Sequence, residues 1–236
     1  MLYDSGIAPV SERGRPARSC GIPGGAPLAY VQEKRAGRPR SQTDVKKRVA
    51  ILISGRGSNM RALIEAARAP DYPAEIVLVV SSRMDADGLG VARALGIATE
   101  LVDQVRYRRE NRDREAFDAE LHHVLTRANV EFVCLAGFMR ILSAGFVRKW
   151  EGRIVNMHPS LLPAFRGLKP QAQALEAGVK VSGCTVHYVV PELDAGPTIA
   201  QTEVPVLDGD TEETLSARIL EAEHKLYPEA LRKALS

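Results

Sequence analysis

Short apolar runs alternate with helical segments from Arg48 onward, and this alternation leaves few folds open to the chain. The runs RVAILIS, EIVLVVSS and FVCLAG are rich in β-branched residues and have the length of buried strands. Between such runs, segments such as residues 114–128 place apolar side chains at helical spacing. Alternating strands and helices form parallel sheets, so we predict an α/β fold with a mostly parallel twisted sheet and helices on both faces.

The last third of the sequence has a different pattern. The segment TVHYVVPELDAGPTIAQTEVPV predicts two strands around a Gly/Pro loop, which adds antiparallel strands toward the C-terminus. Asp210 with Glu213 three residues later has the capping-box pattern of a helix start. Pro228 is predicted to end or kink the helix that follows.

Composition excludes several classes of protein. The chain has 236 residues, 45% of them hydrophobic and 26% charged, which is typical of globular proteins. No apolar run is long enough to span a membrane, and no signal peptide is evident, so we expect a cytoplasmic location. Three cysteines without a CxxC spacing favour neither a disulfide framework nor a zinc site, and no metal is expected.

The net charge of +3 conceals two different parts of the chain. Residues 1–47 hold nine Lys/Arg and four Asp/Glu, together with six Gly and five Pro. We interpret residues 1–47 as a disordered basic extension, with a mis-assigned translation start near Val45 as an alternative explanation. A basic tail could also contact nucleic acid. Residues 48–236 are predicted to form a single domain.

A glycine-rich loop follows the first predicted strand and opens a helix. It reads SGRGSN, and its glycines permit a tight turn in front of free helix N–H groups, which favour an anion. Gly57, Ser58 and Asn59 are therefore predicted to hold a phosphate. A dinucleotide is disfavoured, because the third glycine of the fingerprint is replaced by Met60. A merely tight turn remains the alternative.

Asn156 and His158 stand two residues apart at the end of the run RIVNMH, so both side chains are predicted to face one side of a strand. An amide can stabilise an oxyanion and an imidazole can move a proton, which suits acyl-type transfer. Asp194, in the later Gly/Pro loop, could stabilise the protonated imidazole. From spacing alone, a strand cap, a backbone-bonded histidine and a turn former remain open for the three residues.

Taken together, six segments resemble the phosphoribosylglycinamide formyltransferase family over residues 48–236. They are ILISGRGSNM, LAGFMRIL, NMHPSLLPAFRG, GCTVHYV, ELDAGP and EHKLYP. The resemblance implies the Rossmann-like formyltransferase fold and transfer of a formyl group from 10-formyltetrahydrofolate to the amine of glycinamide ribonucleotide in purine synthesis. It implies small-molecule partners, with neither nucleic acid nor membrane, and a monomer or homodimer.

The resemblance also assigns residues to roles. It implies that Asn156, His158 and Asp194 are catalytic, and that Glu223 contacts the same ribonucleotide as the loop Gly57, Ser58 and Asn59. The residues that it places on the folate side are Arg114, Met139, Arg140, Ile141, Leu142, Val190, Pro191, Glu192 and Leu193. His187 is expected near the site, either as support or as plain packing.

One segment of the chain departs from the family pattern, and three other functions have to be weighed against the one that the resemblance implies. Family members often have a histidine-bearing segment where this chain reads KPQAQ, so no substrate contact is implied from Lys169 to Gln173. Formyltetrahydrofolate deformylases usually carry a preceding regulatory domain, for which residues 1–47 are too short, and they need no phosphate loop. Methionyl-tRNA formyltransferases carry a further tRNA-binding domain, for which this chain ends too early. The intact trio disfavours a non-enzymatic binding module.

Overall fold

The structure, a computed structural model, describes residues 46–109 and 114–236. The strands in these ranges are β1 (Lys47–Ile53), β2 (Ala74–Ser81), β3 (Thr99–Leu101), β4 (Phe132–Leu135), β5 (Ile154–His158), β6 (Val181–Tyr188) and β7 (Thr198–Pro205). The helices are α1 (Ser58–Ala67), α2 (Asp87–Ala94), α3 (Gln104–Arg109), α4 (Arg114–Arg127), α5 (Ala144–Lys149), α6 (Pro170–Glu176) and α7 (Glu212–Ala234). The sequence pattern predicts all of these except the short helices α3 and α6.

The strands form one sheet in the order β3-β2-β1-β4-β5-β6-β7. Neighbouring strands from β3 to β5 run parallel, whereas β6 and β7 are antiparallel to their neighbours. The predicted α/β class, with antiparallel strands toward the C-terminus, is therefore confirmed. The strand order reverses at the β1/β4 pair, and such a reversal opens a crevice beyond the carboxyl ends of the strands.

The two faces of the sheet are buried in separate cores, because side chains alternate along each strand. On β1, Val49, Ile51 and Ile53 pack in the core that also contains apolar residues of α1 and α7. Ala50 and Leu52 point the other way, into the core formed with α4 and α5. Helices thus cover both faces, as predicted, and β1 is buried on both sides.

The register of β5 brings the polar residues of the site to its free end. β4 ends at Leu135, which is paired with Asn156, so His158 extends past β4. On its other side, β5 pairs antiparallel with β6, which sets Asn156 opposite His187 and His158 opposite Thr185. The second half of β5 therefore pairs with β6 only. Its other side is open, and loops after β4 can approach it there.

Pro228 does not end α7, which was one of the two outcomes predicted for it. The helix continues to Ala234, and Tyr227, Ala230 and Leu231 are almost completely buried on both sides of the proline. The Tyr227 hydroxyl also donates a hydrogen bond to the carbonyl of Leu135 beneath the helix. This packing outweighs the one backbone hydrogen bond that a proline removes.

The start of α7 also differs from the prediction. Thr211, not Asp210, caps the helix by accepting from the Thr214 backbone N–H, and the Thr214 hydroxyl oxygen accepts from the Thr211 N–H. The Asp210 carboxylate instead accepts hydrogen bonds from the Arg218 guanidinium and from the Thr214 hydroxyl. That ion pair lowers the pKa of Asp210 well below its usual value.

The predicted extension, residues 1–47, lies outside the described residues except for Lys46 and Lys47. Lys47 is the first residue of β1, so the sheet begins one residue before the predicted domain start. The Lys46 ammonium donates to the carbonyls of Ala67 and Ala69 at the end of α1. Among the helices of the described ranges, none has the length and apolar character to cross a membrane.

Candidate active site

A cavity of about 380 Å³ opens where the strand order reverses. Its walls come from the loop after β1, the loop after β4, the end of β5 and the facing side of α7. The lining residues are Ser54, Gly55, Arg56, Gly57, Ser58, Asn59, Ala136, Gly137, Met139, Met157, Pro159, Gln171, Ser216, Leu220 and Glu223. Five of the predicted binding residues therefore lie together: Gly57, Ser58, Asn59, Met139 and Glu223.

The glycine loop packs against the start of α2. Gly57 precedes α1 with φ +73°, in the left-handed region, and no side chain caps the free N–H groups of α1. A Cβ atom on Gly88 would lie 2.5 Å from Ile53 Cδ1 and 2.9 Å from the Gly55 carbonyl oxygen, and the Gly88 N–H donates to that oxygen. Gly88 thus permits the close approach of α2, which the sequence does not reveal.

Glu223 is a buried acid on the α7 wall of the cavity. Only 6% of its surface is exposed, and its Oε2 atom accepts a 2.6 Å hydrogen bond from Asn59 Nδ2. Burial raises the pKa of Glu223 to about 7, against the lowering effect of the Asn59 bond. The carboxyl group therefore changes charge near neutral pH, within reach of a ligand in the cavity.

Ser54 connects two walls of the cavity at the end of β1. Its hydroxyl accepts from the Met139 N–H at 2.8 Å and shares a 2.7 Å hydrogen bond with the Ser82 hydroxyl. The Ser54 N–H donates to the Gly137 carbonyl. These bonds hold the loop after β4 against the glycine loop. Nothing in the local sequence distinguishes Ser54 from an ordinary strand-end serine.

His158 and Asp194 meet although they are far apart in sequence. Nδ1 of His158 lies 3.4 Å from Oδ2 of Asp194, and their side chains are 6% and 8% exposed. The other ring nitrogen, Nε2, is 2.9 Å from the carbonyl oxygen of Phe165. A carbonyl only accepts, so Nε2 carries a proton, and the proton that His158 gains or loses is the one on Nδ1.

His187 joins Asn156 to the same carboxylate. Its Nδ1 donates to the Tyr188 carbonyl, which leaves Nε2 as the acceptor for Asn156 Nδ2 at 3.2 Å in the neutral ring. Burial lowers the pKa of His187, which favours that neutral form. The same Nε2 lies 3.7 Å from Asp194 Oδ1. Of the two expectations for His187, support of the site therefore agrees with these contacts.

The loop that carries Asp194 is held in an unusual conformation. Asp194 has φ +49°, and its Oδ2 atom accepts from the Gly167 N–H at 2.9 Å. Phe165, whose carbonyl faces His158, also has a positive φ of 54°. Non-glycine residues pay about 1–3 kcal/mol for such conformations and tend to occur at functional sites.

The residues predicted on the folate side lie in two loops and, for Arg114, at the start of α4. Met139 and Ile141 expose 70% and 56% of their surfaces, whereas Leu142 is buried. The Arg140 guanidinium stacks over Phe117, 3.8 Å from the ring centroid, and Arg114 is the exposed first residue of α4. The second loop contains Val190, Pro191, Glu192 and Leu193, which are exposed or half-buried. Of these nine residues, the described cavity is lined by Met139 only.

The segment from Lys169 to Gln173, for which the resemblance implies no substrate contact, also reaches the site. Lys169 precedes α6 with φ +52°, and Gln173 Nε2 donates to the carbonyl of Leu168 at 2.8 Å. Gln171 lines the cavity. An amide side chain of this segment therefore reaches the cavity, although the resemblance implies no contact there.

Chemically, the arrangement combines an amide donor, an imidazole and a buried carboxylate beside a cavity with free helix N–H groups. Such a set can stabilise an oxyanion, move one proton and hold an anion. Within residues 46–109 and 114–236, no three His, Cys, Asp or Glu side chains are grouped so as to hold a metal ion.

Known proteins resemble this chain in both sequence and fold. The sequence model of the formyl transferase family matches residues 47–231. Phosphoribosylglycinamide formyltransferase from Escherichia coli (strain K12) is 44% identical over 180 residues, which cover 76% of this chain and 83% of that protein. The crystal structure of phosphoribosylglycinamide formyltransferase from Brucella melitensis is 51% identical with a TM-score of 0.76, covering 81% of this chain and 96% of that one.

A longer relative contains the same domain. The trifunctional purine biosynthetic protein adenosine-3 of Gallus gallus is 52% identical over 191 residues, or 81% of this chain. The chain spans 19% of the length of that protein, so the match concerns one part of it. The family match and the relatives of similar length agree with each other. The chain therefore belongs to the formyl transferase family, and within it to the phosphoribosylglycinamide formyltransferases.

Proposed function

We propose that this chain transfers the formyl group of 10-formyltetrahydrofolate to the amine of glycinamide ribonucleotide, a step of de novo purine biosynthesis. The products are formylglycinamide ribonucleotide and tetrahydrofolate. The observation that carries the proposal is the grouping of Asn156, His158 and Asp194 beside a cavity that begins at a glycine loop. The names of the E. coli and Brucella melitensis relatives supply the identity of the acceptor.

The ribonucleotide occupies the cavity in this proposal. Its phosphate lies at the start of α1, where the backbone N–H groups after Gly57 and the side chains of Ser58 and Asn59 can donate to it. Glu223 lies on the adjoining α7 wall, hydrogen-bonded to Asn59, and its carboxylate can accept from the ribose hydroxyls. These contacts direct the amine toward the free end of β5.

The first step is attack of the amine nitrogen on the formyl carbon, which turns the carbonyl oxygen into an oxyanion. Asn156 Nδ2 has one hydrogen committed to His187 and a second one free to donate to that oxygen. Protonated His158, stabilised by Asp194, adds positive charge beside it. Removing one such donor typically costs about 10²–10³ in rate.

The second step is collapse of the tetrahedral intermediate, in which the bond from carbon to the folate nitrogen breaks. The attacking amine must lose a proton and the departing nitrogen must gain one. His158 performs this exchange at Nδ1, because Nε2 is held by the Phe165 carbonyl: the imidazolium gives its Nδ1 proton to the departing nitrogen and then takes the proton that the amine loses. Asp194 keeps its negative charge and stabilises the imidazolium.

The folate lies between the two loops that flank the free end of β5. Exposed apolar side chains on both loops, Met139, Ile141 and Leu193, offer a surface for an aromatic ring system. Arg114 is positioned at the start of α4 to meet the acidic tail of the folate. Both partners are small molecules, and we propose that the protein acts in the cytoplasm.

One assay tests the function. The protein is mixed with 10-formyltetrahydrofolate, with and without glycinamide ribonucleotide, and the folate absorbance is followed. We expect formyl release only when the ribonucleotide is present. Release in its absence would show a deformylase, and no release in either mixture would show a binding module, so either result would overturn the proposal.

A further inference from the structure

Arg56 stands in the middle of the glycine loop and lines the cavity. It is exposed, so its guanidinium is accessible to a ligand. Among the described residues that line the cavity, Arg56 alone carries a positive charge. Its guanidinium makes neither a hydrogen bond nor an ion pair within residues 46–109 and 114–236.

A phosphate in this cavity would otherwise be poorly balanced in charge. A phosphate monoester carries about −1.5 to −2 charges at neutral pH, whereas the start of a helix supplies only about half a positive charge. The first turn of α1 contains no acidic residue, so the N–H groups are unopposed. The remaining charged residue of the lining is Glu223, an acid that repels an anion once it ionises.

Arginine is chemically suited to supply the missing charge. Its planar guanidinium can donate two parallel hydrogen bonds to two phosphate oxygens, which a single ammonium group does not do. An arginine that already had a carboxylate partner would have to give it up first. Arg56 has no such partner among the described residues, so binding an anion sacrifices no existing contact.

We infer that Arg56 clamps the phosphate of the acceptor and thereby makes the site select a phosphorylated ribose over the free riboside. This inference rests on the proposed function for the identity of the acceptor. It adds a specificity-determining side chain to the backbone and hydroxyl donors of the loop. Because the guanidinium is exposed, its contribution decreases as salt screens the charge.

The test compares binding of glycinamide ribonucleotide and of the corresponding riboside, measured by calorimetry without folate. For Arg56→Ala and Arg56→Gln we expect about tenfold weaker binding of the ribonucleotide, as for loss of a charge-assisted bidentate contact, with unchanged affinity for the riboside. Arg56→Lys should lie between wild type and Arg56→Ala. The salt dependence of ribonucleotide binding should be shallower in Arg56→Ala than in wild type.

Arg61→Ala is the matched control. Arg61 is also exposed and lies in α1, the helix that follows the glycine loop, but it does not line the cavity, so its loss should leave both affinities unchanged. Equal weakening of ribonucleotide and riboside by Arg56→Ala would overturn the inference, because the phosphate would then not be the group recognised. Wild-type affinity in that variant would overturn it as well.

Ribose 5-phosphate separates this inference from the proposed function. If wild type binds it and Arg56→Ala binds it about tenfold more weakly, the phosphate clamp stands even when the wild-type protein transfers no formyl group. If wild type transfers formyl but the two proteins bind ribose 5-phosphate equally, the clamp is wrong and the function stands. If the wild-type protein binds neither glycinamide ribonucleotide nor ribose 5-phosphate, the clamp is contradicted.

Discussion

The Asp194 carboxylate is 3.4 Å from Nδ1 of His158 through its Oδ2 atom, which also accepts from the Gly167 N–H. The carboxylate therefore joins the loop after β6 to the segment after β5. Its other oxygen lies 3.7 Å from His187, which holds Asn156. One buried carboxylate thus positions both catalytic groups. These are His158, to which we assign the proton transfer, and, through His187, Asn156, to which we assign stabilisation of the oxyanion.

Replacing Asp194 by Asn should remove the charge while keeping an oxygen to accept from Gly167. Since the imidazolium of His158 would lose its counter-charge, we expect turnover to fall by about 10²–10⁴, the usual contribution of a positioned acid–base group. Folate affinity should stay near wild type.

Steady-state kinetics and folate titration measure the two effects of Asp194→Asn. Asp208→Asn, at a fully exposed ion pair with Lys180, is the control, and wild-type turnover in Asp194→Asn would refute the shuttle.

His187 should act through Asn156 rather than on the substrate. Phenylalanine at position 187 keeps the ring but removes the Nε2 acceptor, so the amide of Asn156 loses its orientation. We expect His187→Phe to lower kcat by about 10–100-fold, less than complete loss of an oxyanion donor, with little change in either KM.

A double-mutant cycle distinguishes this from a loss of packing. If His187 works by holding Asn156, the variant with both His187→Phe and Asn156→Ala should be no slower than Asn156→Ala alone. Additive losses in kcat would show that His187 contributes independently, through general stability of β6. Thermal unfolding of all three variants checks that each remains folded at the assay temperature.

The sequence predicts the parts of this site that depend on local pattern. Alternating apolar runs place β1, β4 and β5 in one parallel sheet, and the two-residue spacing places Asn156 and His158 on one side of a strand. The role of His187 depends on strand register, which sets it opposite Asn156 and is not legible in one sequence.

Other features depend on contacts between distant segments. α7 continues through Pro228 because Tyr227 and Leu231 are buried against the sheet, which local propensity does not report. Ser54 binds the backbone of Met139, 85 residues later. Gly88 matters because another loop passes close to it, and only the folded chain shows that approach.

Gly88 and Gly90 offer a matched pair of substitutions within α2. A methyl group on Gly88 would collide with Ile53 and the Gly55 carbonyl, whereas one on Gly90 meets nothing within 4 Å. We expect Gly88→Ala to cost about 1–3 kcal/mol in unfolding free energy and to raise the KM for the ribonucleotide by displacing the glycine loop. Gly90→Ala should gain about 0.5–1 kcal/mol from helix propensity, with an unchanged KM. Equal effects in urea unfolding and kinetics would contradict the proposed close approach.

Glu223 should make the stability of the protein without ligand depend on pH. Burial raises its pKa to about 7 in the folded protein, from the ordinary value of 4.5 that applies to the unfolded chain. Below pH 4.5 both states hold the proton, so no penalty arises. Between pH 4.5 and 7 only the unfolded state releases it, so stability falls as pH rises, by about 3 kcal/mol in total, and then levels off.

Glu223→Gln removes this titration, and its amide can still accept from Asn59 Nδ2 while donating to the unpaired Asn59 Oδ1. In urea unfolding from pH 4 to 8, the unfolding free energy of the variant should therefore rise relative to that of wild type as pH rises. Parallel profiles would mean that Glu223 is already ionised in the folded protein.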